Sequence, residues 1–113
     1  MIFSSSFLMD EHVDFWEEAR TDIKEIGLYL AERAPEVEER FYQAIGKTVR
    51  FLAGAPNLGE RHPSRNPKLK GMRKWQVDGF PNHVIFYRPV GDRLEILRVF
   101  HGARDYAACF NEK

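Results

Sequence analysis

The chemistry-bearing side chains of this chain gather in its second half. Arg73 and Trp75, Tyr87 and Arg88, Arg98, and then His101 with Arg104 fall on or just beyond adjoining strand-like runs. Arginine on a strand beside an open surface can neutralise a phosphate, and a neighbouring tyrosine or histidine can carry a proton in a 2′-hydroxyl attack on RNA. Such chemistry needs no cofactor. Each residue also has a purely structural use. Arginines often only solvate a sheet face, a strand-end histidine can be held by a backbone group, and Arg104 with Asp105 can form a local ion pair or cap a final helix. Trp75 and Phe86 read as core.

Other chemistries lack their residues. There is no glycine-rich phosphate loop, no HExxH, no GxSxG and no Cys/His ligand spacing, and the histidines His12, His62, His83 and His101 are scattered. Neither a metal nor a cofactor is expected. The single cysteine, Cys109, has no internal partner, which fits a reducing cytoplasm. No apolar run is long enough for a membrane helix.

The elements that position these residues follow from period and punctuation. Ala19, Ile23, Ile26 and Leu30 recur at helical spacing, and Val37, Phe41, Ala44 or Ile45, Thr48 and Leu52 do so again after Pro35, which suits a first helical turn. So short a join predicts an antiparallel helical hairpin. Gly54 and Pro56 end the second helix, and "APNLGERHPSRNPKLKG" reads as a loop. "MRKWQV" then alternates, placing Arg73, Trp75 and Val77 on one face. "HVIFYR" is apolar enough for a central strand covered on both sides, and "LEILRVF" follows a Gly91-Asp92 hairpin turn. "GFPN" supplies the turn before the central strand. "HVDFW" supplies an N-terminal edge strand, and "ARDYAACF" a short final helix.

The expected architecture is α+β: an N-terminal strand and an antiparallel two-helix hairpin packed on a small antiparallel sheet, with a short C-terminal helix. Residues 1–12 read as a flexible leader and 13–113 as one domain. The chain has 113 residues and no net formal charge, yet residues 1–60 carry 12 carboxylates against 6 Lys and Arg while residues 61–113 carry 5 against 11. That asymmetry points the second half toward an anionic partner, or else toward the acidic half of its own fold.

The ordered set "ARTDIKEIGLYLAERAPEVEERFYQAI", "LAGAPNLG", "GMRKWQV" and "HVIFYRPVGDRLEILRVFHGARD" resembles the ParE branch of the RelE/ParE superfamily of bacterial toxins, from Asp14 to Asp105. The resemblance implies the toxin component of a type II toxin–antitoxin system, silenced by a cognate antitoxin in a hetero-oligomer. Ile26, Tyr29, Leu30, Phe41, Arg73, Trp75 and Arg88 are then the expected antitoxin contacts. ParE-like members poison DNA gyrase by binding, which makes Arg98, His101, Arg104 and Asp105 the expected target contacts and requires no catalysis. RelE-like members instead cut mRNA on the ribosome. For that alternative the set would be Arg73, Arg88, His101 and Tyr106.

Overall fold

The first helical stripe forms α1 (Glu17–Arg33), and Pro35 opens α2 (Pro35–Gly54) after a single linking residue, Ala34. Acidic residues occupy the first turn of each helix, Glu17 and Glu18 in one and Glu36 and Glu38 in the other, where the helix dipole favours them. Ala19, Ile23, Phe41, Ile45 and Leu52 are wholly buried, as the stripes predict. The helices approach closely at Gly27, where any added methyl would overlap the Tyr42 phenol. The computed structural model of the chain describes residues 12–102. The expected leader, apart from His12, and the expected final helix lie outside them, as do Arg104, Asp105, Tyr106 and Cys109.

Among the described residues, five strands form one sheet in the order β1-β5-β4-β3-β2. They are β1 (Val13–Phe15), β2 (Glu60–Arg61), β3 (Arg73–Val77), β4 (Phe80–Val90) and β5 (Arg93–His101). The central strand is β4, and its side chains enter cores on both sides, as its unbroken apolar run predicts. Three features differ from the sequence expectation. The sheet is mixed, because β1 pairs parallel with β5. The whole chain between β1 and β5 serves as the crossover that a parallel pair needs. The loop after α2 contributes the short strand β2 and a 3-10 turn, Pro67–Leu69. The turn into β4 lies at Asp78-Gly79, with Gly79 at φ +78°, so Phe80, Pro81 and Asn82 already belong to the strand.

The helices cover one face of the sheet, with Val77, Ile85, Tyr87, Leu94, Ile96 and Val99 beneath them. The loop covers the other face, where Leu69 and Met72 pack with Phe86, Leu97 and Phe100. A register shift between β4 and β5 sets Phe86 opposite Arg98 but Tyr87 opposite Ile96, so Leu97 is the extra residue of a bulge. Beyond it the side-chain alternation of β5 is reversed, and Val99 joins Ile96 on the helix side.

Candidate functional site: the sheet end and its two edges

His101 closes β5 directly opposite His83 on β4, with the two rings 4.8 Å apart. His101 is exposed, whereas His83 is 7% exposed and packs against Phe41 and Phe80. The His83 Nδ1 is sealed from solvent and has no hydrogen-bond partner among the described residues. Burial first, and then the neighbouring His101, pull the His83 pKa down to about 4. At neutral pH its imidazole is therefore uncharged, and His101 is the ring of the pair that meets solvent.

The strand arginines are engaged by the protein itself. Arg98 grips Asp22 of α1 in a two-pronged pair at 2.7 and 3.0 Å, and the same carboxylate accepts the Val99 amide at 3.0 Å. This closes the edge of β5 beyond the end of β1. Arg88 donates to Glu95 at 2.9 Å and to the Lys70 carbonyl at 3.4 Å, while the Trp16 indole shares the same carboxylate. Arg73 donates to the carbonyls of Gly59 and Asn57, at 2.7 and 3.1 Å. Tyr87 beside it donates its phenol to Pro56 and accepts the Gly59 amide, both at 2.8 Å. Burial raises the Tyr87 pKa, so the phenol stays protonated and able to hold both partners.

At the opposite edge, β2 pairs with Arg73 and Lys74, and among the described residues no strand pairs with the outer side of the far half of β3. A groove of about 820 Å³ opens there, lined by Phe51, Leu58, Trp75 and Val77 among others. Phe51 and Leu58 are each about half exposed, and Phe51 packs against Trp75 at 5.8 Å. On α1, Leu28 and Tyr29 are similarly exposed, with the Arg33 guanidinium 3.8 Å above the Tyr29 ring.

The structure thus separates the sequence candidates. Tyr29 is exposed, Ile26, Leu30 and Trp75 lie partly buried against the core, with Trp75 also lining the groove, and Phe41 is sealed within it. Arg73 lies at the loop edge, Arg98 at the opposite edge and Arg88 across from Glu95; they do not converge on one spot. Sequence reasoning passed over Asp22, Phe51, Leu58 and His83. Asp22 falls one position before Ile23 on the buried stripe, an available signal that an acidic side chain would need a partner.

A small α+β fold, two helices on a mixed sheet, is shared with two solved structures. One is a chromosomal ParDE toxin–antitoxin system from P. aeruginosa, at 23% identity and a TM-score of 0.65, covering 80% of this chain and 95% of that one. The other is the isolated E. coli RelE toxin, at 11% identity and a TM-score of 0.55, covering 88% and 94%. Both likenesses concern the fold alone. The family profile described as ParE toxin of type II toxin-antitoxin system, parDE, matches residues 13–106. The chain belongs to that ParE toxin family. No curated protein sequence matches it.

Proposed function

We propose that this ParE-family toxin arrests growth by binding DNA gyrase in the cytoplasm, uses no cofactor, and is silenced by a cognate antitoxin. The observation that carries the reading is the engagement of Arg73, Arg88 and Arg98, each by carboxylates or main-chain carbonyls of the protein itself. An endoribonuclease of the RelE kind would need such cations turned toward a scissile phosphate. A binding toxin needs only a presented surface, and His101, exposed at the sheet end and leading into Arg104 and Asp105, supplies its start.

The antitoxin reading is supported by family membership and by the ParDE assembly of the P. aeruginosa relative. Exposed Tyr29 on α1 and the groove at Phe51, Leu58 and Trp75 are the apolar surfaces such a tail would cover, and the uncovered half of β3 can accept an extended strand. Purified toxin is expected to block gyrase supercoiling and accumulate gyrase-cleaved DNA, and His101→Ala to lose this while retaining the antitoxin. Unchanged gyrase activity, with new transcript ends inside translated codons after induction, would replace this reading with the ribosomal one.

A further inference from the structure

The groove beside β3 opens at the end of the sheet where β5 finishes. Gly102, just beyond β5, donates its amide to the carbonyl of Asn82 on β4. Pro81, the neighbour of Asn82, lines the groove, as do Asp78 and Gly79 of the turn between β3 and β4. From β5 to β3 is two strand spacings, about 10 Å. The groove continues along β3 past Val77 and Trp75, where Phe51 and Leu58 each leave about half of their surface exposed. Apolar side chains gathered in one open concavity mark a surface that another segment covers.

Two segments of the chain lie outside the described residues, 1–11 and 103–113. The first joins the sheet at His12, whose carbonyl accepts the Leu94 amide beside the opposite edge and at the opposite end of β5. Three strand spacings and the stretch of β4 from Asn82 to Pro89 separate that point from the groove, more than about 20 Å across a sheet that the helices and the loop cover. Segment 103–113 follows Gly102 directly. Its sequence is ARDYAACFNEK, which sets Tyr106 four and Phe110 eight residues beyond Gly102. Extended chain spans about 13 Å in four residues and about 26 Å in eight, so both rings have the reach to enter the groove. The side chains of the segment carry two cations and two carboxylates, and the rim pairs Lys47 with Asp78 and Lys74 with Glu60, so no net charge opposes entry. We infer that residues 103–113 dock in the groove of their own chain, with Tyr106 and Phe110 seated against Phe51, Leu58 and Trp75. A tethered segment holds its site at an effective concentration of about a millimolar, so any other occupant of the groove has to outcompete it.

The test attaches a nitroxide to Cys109, the single cysteine, in the full chain and reads line broadening of the backbone amides by NMR. The amides of Phe51, Leu58 and Gln76 are expected to lose most of their signal, while those of Val13 and Asp14 at the opposite edge keep theirs. Tyr106→Ser/Phe110→Ser carrying the same nitroxide is expected to recover the greater part of the lost groove signal, its spectrum without nitroxide showing the fold retained. In a mixture of isotope-labelled chain lacking the nitroxide with unlabelled chain carrying it, the groove amides are expected to stay sharp. The inference is overturned by sharp groove signals in the nitroxide-bearing full chain, or by equal broadening in the serine variant. Broadening centred on Tyr29 of α1 instead of the groove overturns it too, as does broadening in the mixture, which would assign the groove to the segment of a second copy. None of these readouts involves gyrase or the antitoxin.

Discussion

The two edges of the sheet are held by different physics. At the β5 edge, charge meets charge: Asp22 takes Arg98 and the Val99 amide, and Asp14 takes Arg93 at 2.6 and 2.8 Å, in pairs that join residues 76 and 79 apart in the chain. At the β3 edge, the side chains of Arg73 and Tyr87 capture main-chain groups of the loop after α2. The first arrangement fixes a helix that its own apolar stripe already places. The second fixes a loop that has no stripe, so its path depends on individual hydrogen bonds.

The largest expected effect breaks the first edge. Asp22→Ala leaves the Arg98 guanidinium and the Val99 amide without their shared partner, at a cost of about 3 kcal/mol or more in urea unfolding, since a half-broken, largely buried pair costs more than the pair was worth. Next comes a pH effect on the central strand, which belongs to neither edge and so serves as an internal reference. His83 titrates near 4 in the folded protein, against an ordinary value of 6.5. Between those values the unfolded chain takes up a proton that the folded chain refuses, so stability is full above about pH 6.5 and falls as pH drops toward 4, by at most about 3 kcal/mol. His83→Phe should flatten that part of a stability-against-pH curve.

Breaking the second edge is expected to cost less and to act locally. Tyr87→Phe deprives the Gly59 amide and the Pro56 carbonyl of the phenol, about 2 kcal/mol. Hydrogen exchange should quicken at Gly59 while the amides of α1 and α2 keep their protection. If exchange rises equally in the helices, the two edges are one cooperative unit and the contrast between them fails. The smallest effect sharpens the first edge: Arg93→Ala removes an exposed pair and should change stability by about 1 kcal/mol or less, diminishing further with added salt.

Much of the fold was legible in residue periods. Ala19, Ile23, Phe41, Ile45 and Leu52 occupy the buried helix positions because a 3.6-residue stripe has one way to reach a core. The hairpin at Gly91, with φ +61°, was legible for a local reason, since turn chemistry resides in adjacent residues. The candidate site was less legible. Arg73, Arg88 and Arg98 were visible as strand arginines, but whether a guanidinium faces solvent or a carboxylate is set by a partner such as Asp22, 76 positions away. Nothing in residue type or spacing marks Phe51 and Leu58, which line the groove beside the short strand β2.

By itself, the sequence determined the helical hairpin, the doubly covered central strand and the cationic composition of the loop, because each depends on the spacing and composition of neighbouring residues. Tertiary structure alone decided the parallel pairing of β1 with β5 and the bulge at Leu97 that reverses the alternation of β5 and brings His101 over His83. A strand's period of two carries no record of where an extra residue will be accommodated; that is settled by what packs on each face.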